Sequence, residues 1–206
     1  MDAQHIRTHF TYNAWKYIVL IAAAVLGWNL IYTTSEYRPP ESKRVDVYAR
    51  APGLDGDVLQ SYLDGAREAV PDMELVQGVT LMTSGEDYYA TMQLSVYIAA
   101  AEGDIYILPE SEFKTYAAQG AFLPLDEYAQ SGALGVEKLT LSRGQVTLED
   151  TGERALFGIP LGECAALPRT LGVSGDGLVL AVTYYNGNTE NVLKVAARML
   201  ADFQAP

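Results

Sequence analysis

The chain has two histidines and one cysteine in 206 residues. Both histidines, His5 and His9, lie near the N-terminus, so residues 45–206 contain none. Ser-His-Asp and Cys-His nucleophilic catalysis therefore cannot be assembled there, nor can a histidine-containing zinc site. Cys164 stands alone, which excludes an intrachain disulfide and fits a cytosolic domain and an exported bacterial one equally well. Positive charge is also scarce, with 14 Lys and Arg against 26 Asp and Glu. Residues 1–44 carry five basic and three acidic side chains, so of the net −12 the remainder holds −14. A domain that acidic repels nucleic acid and anionic lipid headgroups, and neither is expected as its partner. The plainest role of such a charge is solubility.

What the chain does have is a long uncharged run near its start. Tyr17–Tyr32 reads YIVLIAAAVLGWNLIY, and no acid or base follows Lys16 until Glu36. As a helix, residues 17–35 span about 28 Å, close to the hydrocarbon thickness of a bilayer. Trp15, Tyr17, Trp28, Tyr32 and Tyr37 cluster toward its ends, where amphipathic rings favour the headgroup level. The expected organisation is a short tail over 1–16, a transmembrane helix over 17–35, a linker over 36–44 and an α/β domain over 45–206. A cleaved signal peptide is the rival reading, with Arg7 and Lys16 as its charged start, but only Thr33 and Ser35 resemble a small-x-small cleavage site. Lys and Arg counts on the two flanks do not decide orientation.

Within the domain, Val45–Ala49 alternates and is β-rich, which predicts the first strand. Asp57 is the expected cap of a helix carrying Leu59, Tyr62, Leu63, Ala66 and Val70, stopped by Pro71. Glu74–Leu81 reads as a second strand. Ser84 is the expected cap of a helix ending at Gly103, and Asp104–Leu108 is a third strand. Glu110–Gln119 then reads as a helix. Leu139–Ser142 and Gln145–Leu148, flanking Arg143-Gly144, predict a β-hairpin, and Ala155–Leu161 predicts one strand. Gly162–Gly177 reads as a glycine-rich connection and Leu178–Tyr185 as an apolar strand. A final helix, capped by Asn188 or Thr189, buries Val192, Ala196, Met199, Leu200 and Phe203. This alternation predicts a mainly parallel sheet flanked by helices.

Met92–Tyr128 resembles the first lobe of the extracellular solute-binding proteins of ABC importers. The resemblance lies in an Asp-initiated apolar strand after alanines and glycine, then a helix, then Gly120-Ala-Phe-Leu-Pro-Leu-Asp126. Phe157-Gly-Ile-Pro-Leu161 and Thr189-Glu-Asn-Val-Leu-Lys194 are similar to later segments of the family. The motifs are degenerate, and the chain has room for one lobe where the family closes two around its ligand. The resemblance implies a periplasmic-binding-protein-like single lobe, a sugar or other small polar solute as ligand, and a membrane permease as partner.

Ligands of open α/β sheets settle outside the carboxyl ends of the strands. Those ends are expected at Ala49–Pro52, Met82–Gly85, Leu108–Ser111 and Tyr184–Asn186. Thr83 and Ser84 offer hydroxyls and helix-start amides, Glu110 an acceptor for hydroxyls or a partner for a cation, and Tyr106, Tyr184 and Tyr185 rings for stacking. Each also has a plain structural role as a cap, a solvated acid or a packed ring. No catalytic residue, metal ligand or cofactor is expected. Glu86-Asp87 and Glu149-Asp150 diverge as sequence neighbours, and Asp55-Gly-Asp57 is too short for a calcium loop. The expectation is a single-pass, membrane-anchored, extracytoplasmic solute-binding-like protein that is not an enzyme. The alternative is a scaffold subunit that keeps the fold without binding solute.

Overall fold

The computed structural model describes residues 3–35, 39–81, 88–184 and 188–205. The chain divides into two units, Met1–Arg38 and Pro39–Pro206. The first is one helix, α1 (Ala3–Ser35), so most of the expected tail is helical too. Its stretch Trp15–Tyr32 is long and apolar enough to cross a membrane. Trp28, Leu26 and Leu20 are exposed along it.

The second unit is built on a five-stranded sheet in the order β2-β1-β3-β7-β6, in which β6 is Gly158–Pro160 and β7 is Leu178–Val182. Strands β1 (Arg44–Ala49), β2 (Leu75–Thr80) and β3 (Ile105–Pro109) pair in parallel, with β1 in the middle. Helix α2 (Gly56–Ala66) joins β1 to β2, and α3 (Tyr88–Ala99) precedes β3. These three strands follow the sequence reading to within a residue or so. The cap of α2 is Asp55, not Asp57: the Asp55 carboxylate accepts the Asp57 N–H at 2.8 Å. Gln60 of α2 reaches edge strand β2, where its Oε1 accepts the Gly78 N–H at 2.9 Å and its Nε2 donates to the Val76 carbonyl. Those bonds occupy backbone groups that an edge would otherwise leave open.

Two apolar clusters cover the two faces of the sheet. Val45 and Val47 of β1 pack with Leu59 and Leu63 of α2 and with α7 (Thr189–Phe203), whose Val192, Ala196, Met199, Leu200 and Phe203 are all buried as their spacing requires. On the other face, Tyr48, Tyr106, Phe122 and Phe113 form a continuous aromatic row in one cluster with Leu94 of α3. The backbone turns tightly to admit it: Gly103 has φ +83, and a Cβ there would lie 2.5 Å from the Tyr48 ring. Asn188 does begin α7, but its side chain makes no cap bond; its Nδ2 donates instead to the Arg44 carbonyl.

The second half departs from expectation in four places. Strand β7 (Leu178–Val182) enters antiparallel to β3, and β6 (Gly158–Pro160) antiparallel to β7, so the sheet is mixed. No hairpin forms at Arg143-Gly144. Ser142–Gly144 is a 3-10 turn, and β4 (Gln145–Thr147) pairs instead with β5 (Arg154–Leu156). Gly144 is pressed so closely on β6 that a Cβ there would meet the Gly158 carbonyl oxygen at 1.8 Å. The predicted strand Ala155–Leu161 breaks at Phe157, whose N–H turns to the Gly144 carbonyl, which divides it between two sheets. The glycine-rich connection also holds a short helix, α6 (Leu167–Leu171), with a proline in its first turn.

The segment Gly120–Asp126 laces these parts together. Phe122 bridges Thr183 beyond β7, the Leu125 N–H donates to the Leu156 carbonyl at 2.6 Å, and the Asp126 carboxylate accepts the Leu156 N–H at 2.9 Å. Helices α4 (Glu110–Ala118) and α5 (Asp126–Gln130) flank it.

Candidate functional site at the carboxyl edge of the sheet

The sheet order makes β1 a switch point. From β1 the chain passes over one face to β2, then over the opposite face to β3 on the other side of β1. Ligands of open α/β sheets settle where connections diverge in this way, outside the carboxyl ends. Arg50, directly after β1, and Glu110 and Glu112, directly after β3, occupy that edge. The pairings Pro109–Leu178 and Pro160–Val179 bring the start of β7 and the end of β6 to the same edge.

Arg50 and Glu112 form a buried ion pair. Nη1 of Arg50 lies 2.8 Å from Oε1 of Glu112, and the arginine side chain is only 7% exposed. The pairing is incomplete, because Nη1 lacks hydrogen-bond geometry and the buried Oε2 of Glu112 has no hydrogen-bond partner among the described residues. Burial raises the Glu112 carboxyl above its ordinary range, and the Arg50 charge opposes that rise.

At the same edge of the sheet, a cavity of about 340 Å³ opens between the ends of β3 and β6, the start of β7 and the Thr140–Arg143 segment. Its polar lining is Glu110, Thr140, Ser142, Arg143, Glu163 and Asp176. Glu110 is the first residue of α4, and its N–H donates to the Gly177 carbonyl. Its carboxylate lies 2.5 Å from Lys114 Nζ through one oxygen and 3.7 Å from Arg143 Nη1 through the other. Glu163 accepts the Thr140 N–H at 3.1 Å, and hydrogen bonding from Thr140 holds its carboxyl below the ordinary range. This fixes the outer segment to the end of β6. Such a lining suits hydroxyls and amines, and its volume falls at the lower end of the small-molecule range.

The structure separates the residues named from the sequence. Glu110 is at the carboxyl edge and in the cavity. Tyr106 is not available to a ligand: it is fully buried, stacked at 5.4 Å on Tyr48, and its hydroxyl donates to the Glu102 carbonyl. Burial pushes its phenol well above the ordinary tyrosine range, so it stays neutral. Tyr184 is exposed but lies on the opposite edge, because β7 runs antiparallel and its end faces away from the cavity. Thr83, Ser84 and Tyr185 lie outside the described residues. Arg50, Glu112, Arg143, Glu163 and Asp176 were not singled out from the sequence, although Arg50 falls within the strand end at Ala49–Pro52. Cys164 is buried, and its thiol is pushed up to about 11 by that burial, which leaves it unreactive. Among the described residues, no group of three or more His, Cys, Asp or Glu is placed to hold a metal ion.

No protein-family model matches the chain, and no curated protein matches it. Solved structures similar to the chain include two binding proteins. One is the extracellular solute-binding protein family 1 protein of Alicyclobacillus acidocaldarius, at 16% identity and a TM-score of 0.45, covering 61% of this chain and 29% of that one. The other is an ABC substrate-binding protein of Listeria monocytogenes in complex with cycloalternan, at 22% identity and a TM-score of 0.37, covering 56% of this chain and 28% of that one. The match thus spans under a third of either solved chain.

Proposed function

We propose that this chain is a membrane-anchored, extracytoplasmic solute-binding-like protein, without enzymatic activity, that takes a small polar solute at the carboxyl edge of its sheet. The observation that carries this reading is the 340 Å³ polar cavity at that edge, which contains Glu110. The sequence resemblance through Gly120–Asp126 supports the solute-binding role and, with it, a permease of an ABC importer as partner and a sugar or similar polar molecule as ligand. The apolar stretch Trp15–Tyr32 supports the anchor. The absence of histidine after residue 9 supports a role in binding rather than turnover.

A second reading, a scaffold subunit that has lost solute binding, draws on exposed Met92 and Val96 on α3, an uncharged face suited to another protein. A thermal-shift screen of the detergent-solubilised chain against sugars, amino acids, peptides and metal ions separates the two. A solute at 100 times its Kd adds about 2.7 kcal/mol, which for a domain of this size raises Tm by roughly 5–11 °C. A reproducible rise for one chemical class supports the binding protein. A flat response from a cooperatively melting chain supports the scaffold.

A further inference from the structure

We propose that the carboxyl-edge cavity selects a cationic small solute, one carrying a protonated amine among its hydroxyls, over neutral or anionic solutes of the same size. This inference rests on the reading of that cavity as the solute site. Glu110, Glu163 and Asp176 place three carboxylates in the lining, of which Glu110 already meets Lys114 at 2.5 Å and Arg143 at 3.7 Å. Glu163 and Asp176 have no cationic partner among the described residues. The Asp176 carboxylate makes no hydrogen bond or ion pair among the described residues; only its backbone N–H is engaged, by the Ser174 hydroxyl. Glu163 uses one oxygen for the Thr140 N–H and meets no cation. Arg143 is 64% exposed and sits 3.7 Å from Glu110, a loose contact that an incoming ammonium can displace.

An ammonium is a compact charge with three donors and no acceptor, so it needs several oxygen acceptors at once. Carboxylates drawn from α4, from beyond the end of β6 and from the turn before β7 line the one cavity, so an ammonium entering it finds acceptors on more than one wall. The Thr140 and Ser142 side chains in the same lining suit the hydroxyls of such a solute. An anion entering the cavity instead faces three carboxylates, with Arg143 and Lys114 both already drawn to Glu110. The field of the whole domain acts in the same sense, because its −14 balance attracts cations and repels anions before contact.

The test is isothermal titration of the full chain in detergent with three pyranose probes of nearly one size: glucosamine, glucose and glucuronate. A mildly acidic buffer keeps the amine of glucosamine protonated. The expected result is glucosamine binding about tenfold or more tighter than glucose, with glucuronate weakest. Added salt weakens glucosamine most. The double variant Glu163→Gln/Asp176→Asn erases the preference while keeping the wild-type Tm, since both side chains are exposed. Equal binding of the three probes, or a preference for glucuronate, overturns charge selection and leaves solute binding standing. If these probes and every member of the broad screen fail to bind, both readings fall.

Discussion

Removing either member of the Arg50–Glu112 pair destabilises the fold, but the two losses differ in size and in pH dependence. Glu112→Leu leaves a guanidinium that is 7% exposed and cannot release its proton. Stranding one charge of a buried pair costs about 3–5 kcal/mol. For a domain of this size that lowers Tm by roughly 6–20 °C. Arg50→Met strands a carboxyl instead, and a carboxyl escapes by taking up a proton. Protonating an ordinary glutamate at pH 7 costs about 3.5 kcal/mol, which caps the penalty. Burial already raises the Glu112 carboxyl, so the loss falls below that cap. Each unit of acidification then returns about 1.4 kcal/mol until the group is protonated. The double variant Arg50→Met/Glu112→Leu strands nothing and stays near wild type or above it. Urea unfolding of the four proteins in detergent, at neutral and mildly acidic pH, measures all of this. Equal losses for the two single variants at pH 7, with no recovery of Arg50→Met on acidification, refute the reasoning.

Three other outcomes follow from the same structure. Phe122→Ala removes a 2% exposed ring that stacks on Phe113 at 5.7 Å and meets Tyr106 at 6.0 Å, so a loss of about 3–5 kcal/mol is expected in chemical unfolding; a loss under about 1 kcal/mol contradicts its place in the core. Gly144→Ala forces the Thr140–Arg143 segment away from the Gly158 carbonyl and opens one wall of the cavity, so solute affinity falls more steeply than Tm; unchanged affinity counts against that wall. Stability also rises as pH falls from 7 toward about 5. Asp46 and Glu112 both have carboxyls raised chiefly by burial, so the folded chain holds their protons more tightly than the unfolded chain does. Their contribution is complete below the ordinary carboxylate range and fades as pH climbs through the raised values. Relief of the −12 self-repulsion acts in the same direction, and a Tm that falls steadily over that window contradicts the assignment.

The parts legible in the sequence are those that local periodicity encodes. Val45–Ala49 reads as a strand because it alternates and is rich in β-formers, Asp104–Leu108 because a run of apolar β-formers follows Asp104, and the spacing from Val192 to Phe203 reads directly as the buried face of α7. Strand direction has no such signature. Leu178–Val182 is equally apolar read either way, so its antiparallel entry, and with it the displacement of Tyr184 from the ligand edge, was not visible. Tyr106 misled because a strand covered on both faces buries every side chain and hides the alternation that separates core from surface. Glu110 was legible because it directly follows β3, and a position just beyond a parallel strand is informative in itself. Arg143, Glu163 and Asp176 meet only through tertiary packing. Gly144 is seated on Gly158, and Thr140 is tied to Glu163, by close contacts between segments that no short-range pattern connects.

The central claim is that a small polar solute binds at the Glu110 edge of the sheet and not at the Tyr184 edge. Isothermal titration of the solute found in the screen against wild type, Glu110→Ala and Tyr184→Ala tests it most directly. The account predicts at least about tenfold weaker binding for Glu110→Ala, with Tm nearly unchanged because its ion pairs are partly exposed, and wild-type affinity for Tyr184→Ala. Wild-type affinity in Glu110→Ala, or loss of binding in Tyr184→Ala alone, contradicts it.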